Sequence, residues 1–89
     1  MDTSKLMEII RGCIGFSYDL FESPTESWKV RVARDGMLVG AVTIDGESAH
    51  MIEGKNFRPR RDKSHFLQIM YELQQHKIKV VYSGHYFST

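Results

Sequence analysis

The stretch WKVRVARDGMLVGAVTIDGESAHMI, residues 28–52, decides the fold. It contains two Asp-Gly pairs, at 35–36 and 45–46, and Asp-Gly between apolar runs is a strong signal for a tight β-hairpin turn. The runs beside these turns are rich in β-branched residues, and the first alternates between apolar and polar side chains. The stretch therefore predicts three consecutive antiparallel strands, over residues 28–34, 37–44 and 48–52.

Upstream of this stretch, the hydrophobic pattern changes from a helical period to a strand period. Apolar residues spaced by three and four predict a helix over residues 3–13, with an apolar side of Leu6, Ile9, Ile10 and Cys13. Asp2, Thr3 or Ser4 would cap its start, and Gly12 or Gly15 would end it. From residue 14, apolar side chains recur at every second position, which predicts a strand over 14–21 with one face formed by Ile14, Phe16, Tyr18 and Leu20.

Downstream of residue 52, the sequence predicts a second helix and a closing strand. The helical spacing of Phe66, Ile69, Met70 and Leu73 places the helix at about 63–77, with Asp62 or Ser64 as its cap. The β-branched run IKVVY, residues 78–82, predicts the closing strand.

These segments predict a single α+β domain over residues 1–89, in the order α-β-β-β-β-α-β. The economical arrangement is an antiparallel β-meander of four to five strands with both helices packed on one face. We expect one core, formed by Leu6, Ile9, Ile10, Phe16, Tyr18, Trp28, Val30, Val32, Val42, Phe66, Ile69, Met70 and Leu73.

The composition is that of a small globular protein. Of 89 residues, 42% are hydrophobic and 26% charged, and 12 basic against 11 acidic side chains leave a net charge of +1. No global field therefore steers the chain to nucleic acid, and any such partner would meet a local patch. The single cysteine, Cys13, excludes an intrachain disulfide. Since no signal peptide or membrane span is recognisable, we expect a soluble cytoplasmic protein without a membrane partner.

Candidate catalytic and metal-binding patterns are weak. His65 and His76 share a face of the predicted second helix, but eleven residues of helix separate them by about 16 Å, too far to share an ion. Ser83 and His85 stand two residues apart in an extended segment, outside hydrogen-bonding reach. Phosphate-binding glycine-rich loops are missing from the sequence. We expect no catalytic residue, no metal site and no cofactor, and hence a protein that is not an enzyme.

The segment GKNFRPRRDKSH, residues 54–65, concentrates the positive charge. It holds five basic residues and one acid, a net charge of +4. Basic side chains and free N–H groups at a helix start together favour an anion, and Phe57 adds a ring that could stack on a base. One interpretation is a DNA- or RNA-binding surface formed by Lys55, Phe57, Arg58, Arg60, Arg61 and Lys63.

Two other interpretations stay open. The basic segment could be a solvated loop that leads into the second helix. Alternatively, the chain is a protein–protein interaction module, a small regulator or inhibitor that docks on an acidic partner or forms a homodimer. The C-terminal aromatic run favours this alternative, because aromatic residues are typical of interface centres. The candidate interface residues are Tyr82, His85, Tyr86 and Phe87, unless this run simply completes the sheet.

Overall fold

The structure, a computed structural model, describes residues 2–23 and 29–84 in full and the backbone of residues 85–87. It confirms the α+β class and the order α-β-β-β-β-α-β. The elements are α1 (Thr3–Ile14), β1 (Asp19–Glu22), β2 (Val30–Arg34), β3 (Met37–Asp45), β4 (Ser48–Gly54), α2 (Pro59–Gln75) and β5 (Lys79–Phe87).

One sheet contains all five strands in the order β1-β2-β3-β4-β5. The first four strands form the predicted antiparallel meander. Strand β5 instead runs parallel to β4, with Ser48 opposite Lys79 and Gly54 opposite Phe87. Parallel neighbours need a long crossover, and α2 with its 17 residues supplies it. As a result, β5 forms one edge of the sheet and β1 the other.

The two Asp-Gly hairpins form where the sequence predicts them. Asp35 and Gly36 have φ values of 53° and 77°, and Gly46 has a φ of 63°. Positive φ angles at the turn match the twist of the flanking strands, and glycine adopts them without steric cost. Local turn chemistry therefore sets the β2–β3 and β3–β4 connections.

The core lies between the helices and one face of the sheet. Both helices contribute to it, and Ile9 and Met70 pack against it half-buried. This confirms most of the predicted core, and Trp28 lies outside the described residues. The buried residues are Leu6, Ile10, Ile14, Tyr18, Val30, Val32, Val39, Val42, Ala49, Met51, Phe57, Phe66, Ile69, Leu73 and Ile78.

The predicted strand over residues 14–21 is wrong in its first half. Helix α1 continues to Ile14, which is buried one turn after Ile10. The helix ends at Gly15, whose φ of 63° turns the chain, and β1 begins only at Asp19. The turn directs Phe16 outward, and 89% of this residue is exposed. The prediction that Phe16 belongs to the core is therefore wrong.

Helix α2 packs very closely on the sheet at Gly40. A Cβ atom at this position would lie 2.5 Å from the Phe66 ring and 2.6 Å from the carbonyl oxygen of Ile52. The Phe66 ring also packs edge-to-face against Phe57 and Tyr82, with centroid distances of 5.1 and 6.5 Å. These contacts fix the N-terminal half of α2, where the basic segment lies.

Candidate nucleic-acid interface

The basic segment enters the helix earlier than predicted. Helix α2 begins at Pro59, with Arg58 as its N-cap, and ends at Gln75, so the predicted range of 63–77 is wrong at its start. Proline is favoured at the first helical position because that N–H group needs no partner and its φ is already helical. Pro59 was therefore the sequence signal for the helix start. As a consequence, Arg60 and Arg61 lie in the first turn.

The only acid of the basic segment is turned into the protein. Asp62 is fully buried, and its Oδ1 accepts hydrogen bonds from the Tyr18 hydroxyl at 2.6 Å and from the Arg34 guanidinium. Its Oδ2 accepts a hydrogen bond from the backbone N–H of Arg58 at 2.8 Å. The prediction that Asp62 or Ser64 is the N-cap residue is thus wrong, although the Asp62 carboxylate still reaches back to the helix start. Arg34 balances its charge inside the protein.

Four cations of the segment stay on the surface. Lys55 lies in the turn after β4, Arg58 at the N-cap, and Arg60 and Arg61 in the first turn of α2, and all four are exposed. Within the described part of the chain, no acidic side chain forms an ion pair with any of them. The surface of the segment therefore carries four uncompensated positive charges.

Lys63 does not belong to this exposed group. Its Nζ lies 2.9 Å from Oε2 of the buried Glu53, and it sits over the rings of Tyr82 and Phe57. The same Glu53 oxygen accepts a hydrogen bond from the Tyr82 hydroxyl at 2.8 Å. Burial, and then this bond to Glu53, raise the pKa of Tyr82. Lys63 thus balances a buried carboxylate between β4 and α2, so its charge, unlike those of the other four cations, already has an acidic partner.

Phe57 is not available for stacking on a base. It is 7% exposed and packs into the core against Phe66. Its backbone N–H donates to the carbonyl of Gly54 at 3.1 Å, which closes a tight turn after β4 and directs the ring inward. The expectation that Phe57 contacts a base is therefore wrong.

The backbone at the start of α2 offers little to an anion. The Arg58 N–H is bonded to Asp62, Pro59 has no N–H, and the Arg61 N–H donates to the Arg58 carbonyl at 2.9 Å. In the first turn, as far as the chain is described, this leaves the N–H of Arg60. The expected group of free amides is therefore largely absent from these residues, and binding of an anion depends on the side chains.

An exposed aromatic side chain, Phe16, is connected with the start of α2 through Arg11 and Tyr18. The ring centroid of Phe16 is 4.9 Å from the guanidinium carbon of Arg11. Arg11 donates to the carbonyl of Tyr18 at 2.9 Å, and the Tyr18 hydroxyl reaches Asp62 in α2. A single residue thus connects the Arg11–Phe16 pair with the start of α2. Sequence reasoning missed Phe16, although Gly15 directly before it was recognised as a helix end.

The C-terminal candidates separate into two groups. The backbone of β5 extends to Phe87, so the segment is a strand rather than a loose tail. Tyr82 is half-buried and its hydroxyl is bonded to Glu53, which makes it part of the α2–sheet contact instead of a free interface residue. The side chains of His85, Tyr86 and Phe87 lie outside the described residues.

Other chemistries find little support in the described residues. In 2–23 and 29–84, no three His, Cys, Asp or Glu side chains come together in a way that could hold a metal ion. Burial, followed by the neighbouring Glu72, raises the pKa of the Cys13 thiol, which disfavours the nucleophilic thiolate. No helix in the described chain is long and apolar enough to cross a membrane.

Comparison with known proteins finds no family, no curated protein and no solved structure that matches this chain. The interpretation of the site therefore depends on its geometry.

Proposed function

We propose that this protein is a non-enzymatic domain that binds the sugar-phosphate backbone of DNA or RNA. The binding residues are Lys55, Arg58, Arg60 and Arg61. The observation that carries the proposal is the separation of charges around α2. The four cations are exposed, whereas the acid within the segment, Asp62, is buried and balanced by Arg34.

This arrangement runs against the electrostatics of a helix. Each basic side chain near a helix N-terminus is unfavourable by about 0.3–1 kcal/mol, because it faces the positive end of the dipole. The fold nevertheless places Arg58, Arg60 and Arg61 there together. When a protein departs from a local preference of this kind, here the preference for acidic side chains at a helix N-terminus, the departure often marks a functional site. Phosphate groups between these cations would relieve both their mutual repulsion and their repulsion from the dipole.

The proposal implies a defined salt dependence. If all four cations contact phosphates, log K should fall against log salt concentration with a slope of about −3.6 for duplex DNA and about −2.8 for a single strand. Affinity should vary little with sequence, since contacts to phosphates position a protein without reading base edges.

The test is fluorescence anisotropy with labelled single-stranded and duplex oligonucleotides at about 50 mM salt, where such electrostatic binding is strong. The double variant Arg60→Glu/Arg61→Glu should lose binding while keeping its fold, because acids suit a helix N-terminus. A matched control, Lys77→Glu/Lys79→Glu, makes the same change in net charge at exposed positions after α2 and should keep most of the affinity. Binding that survives the reversal in the first turn, or an equal loss in both variants, would contradict the proposal.

A second candidate function is protein association through β5. This nine-residue edge strand carries few charges, and its Val81 is 42% exposed. Open edges of this kind accept a further strand, from a second copy or from another protein. We expect Val81→Lys to shift any dimer to monomer in light scattering coupled to size exclusion. A wild-type chain that stays monomeric at high concentration would exclude the homodimer. An acidic protein partner would instead be lost in Arg60→Glu/Arg61→Glu.

A further inference from the structure

Phe16 is the most exposed of the large hydrophobic residues in the described chain. It is 89% exposed, whereas the next in order, Tyr71, is 61% exposed. A ring in water gives up the stabilisation that burial would bring, and here the turn at Gly15 directs it outward. Its outward position is therefore a feature that the fold maintains.

The backbone that carries Phe16 is held in place on both sides. The Gly15 N–H donates to the Arg11 carbonyl at 2.8 Å and closes α1. The Arg11 guanidinium in turn donates to the carbonyls of Gly15 and Tyr18, at 2.6 and 2.9 Å, so one side chain fixes the residues before and after the ring. The same guanidinium lies over the Phe16 ring at 4.9 Å. One ring is thus presented to solvent with a cation beside it.

Tyr18 connects the segment that carries the ring with helix α2. Tyr18, two residues further on, donates its hydroxyl to Asp62 and packs edge-to-face on His65 at 5.4 Å, both in α2. The residues of α2 that precede Asp62 are Arg60 and Arg61. A polyanion bound at the start of α2 can therefore extend toward Arg11 and Phe16.

We propose that Phe16 stacks on a base and that the ligand is single-stranded nucleic acid. This deepens the proposed function and rests on it. Every base has a π-face, so stacking on an aromatic ring tolerates any sequence, and an adjacent arginine strengthens the contact. In a duplex these faces are covered by neighbouring base pairs, and Phe16 would have no partner. The four cations bind the phosphates, and Phe16 distinguishes the single strand from the duplex.

The experiment compares Phe16→Leu with wild type in binding to a labelled oligothymidylate and to a mixed duplex of equal length. Leucine keeps an apolar side chain and removes the π-face. Alanine replacement of one stacking residue weakens binding by about 5- to 150-fold; with leucine we expect single-strand affinity to fall toward the lower end of that range and duplex affinity to stay unchanged. Phe21→Leu, at an aromatic residue of β1 that is 51% exposed, is the matched control and should change neither affinity.

A second variant, Phe16→Trp, keeps a stacking ring. It should retain affinity for the oligothymidylate, and its fluorescence should be quenched on binding by more than that of wild type, which contains Trp28. Melting temperatures of the Phe16 variants should match wild type, because the ring is exposed.

The outcomes separate the two proposals. Unchanged single-strand affinity of Phe16→Leu, with binding lost in Arg60→Glu/Arg61→Glu, overturns the stacking inference and leaves the backbone-binding function intact. Tighter binding of the duplex than of the single strand by wild type also overturns the inference alone. A wild-type protein that binds neither nucleic acid overturns both.

Discussion

Arg34 and Asp62 form an ion pair that is closed off from solvent, with 9% and 0% of their side chains exposed. The pair joins β2 to α2 across 28 residues of sequence. Because the same carboxylate accepts from the Arg58 N–H, this contact also defines where α2 begins. The buried pair thus removes the only acid of the basic segment from its surface.

Removal of one partner of this pair should be strongly destabilising. Asp62→Ala leaves the Arg34 charge buried without a counter-ion, and we expect a loss of about 3–5 kcal/mol in the free energy of unfolding, measured by urea denaturation. The double variant Arg34→Met/Asp62→Leu replaces both charges with apolar groups and should recover much of that loss. A single variant within about 1 kcal/mol of wild type would show that the pair does not hold α2 in place.

Replacement by alanine should lower stability at Lys63 but not at Arg60. Lys63→Ala leaves the buried Glu53 with the Tyr82 hydroxyl as its described partner, and should lower stability by about 1–3 kcal/mol. Arg60→Ala alters an exposed side chain and should stay within about 0.5 kcal/mol of wild type.

For nucleic-acid affinity we expect the larger effect at Arg60 and the smaller effect at Lys63. Measured by anisotropy on folded protein, Arg60→Ala should weaken affinity and Lys63→Ala should not. Equal losses of affinity would place Lys63 among the binding residues.

Gly40 and Gly12 offer a matched pair of alanine substitutions. A methyl group at Gly40 would meet the Phe66 ring and the Ile52 carbonyl at under 3 Å, so Gly40→Ala should cost about 1–3 kcal/mol in thermal or urea unfolding. At Gly12, within α1, a Cβ meets nothing within 4 Å, and alanine should stabilise by up to about 1 kcal/mol. A neutral Gly40→Ala would mean that α2 lies farther from the sheet.

Stability should fall at high pH through Tyr18. Burial, and then the hydrogen bond to Asp62, raise the pKa of Tyr18 to about 12 in the folded protein, against about 10 in the unfolded chain. The folded state therefore holds this proton more tightly. Its contribution to stability is complete below pH 10 and disappears as the pH rises through about 12.

The measurement is the melting temperature between about pH 9 and pH 12, with tyrosinate absorbance recorded in parallel. Tyr18→Phe should be less stable than wild type near neutral pH, by about 1 kcal/mol for the lost hydrogen bond, and should show a shallower decline above pH 10. An identical decline in both proteins would assign the alkaline effect to other groups, such as Tyr82.

The order of helices and strands and most of the core follow from local sequence patterns. The hairpins at 35–36 and 45–46 depend on turn residues that act over a few positions, and the helical stripes depend on spacing within one element. Pro59 is a local signal of the same kind, since its ring alone favours the first position of a helix. For this reason the element order and most of the core could be predicted. Pro59 also indicates the start of α2 in the sequence, although the predicted start at residue 63 is too late.

The composition of the basic surface was decided by contacts between distant residues. Asp62 turns inward because Tyr18 and Arg34 meet it from 44 and 28 positions away, and Lys63 is held by Glu53 from the neighbouring strand β4. The outward position of Phe16 depends on the end of α1, and the parallel pairing of β5 on the crossover through α2. The sequence determines how many charged and aromatic side chains this protein has and where they stand along the chain. Which of them face solvent depends on the burial and pairing that only the folded chain provides, because desolvation of a charge is tolerated only where a partner from elsewhere in the sequence compensates it.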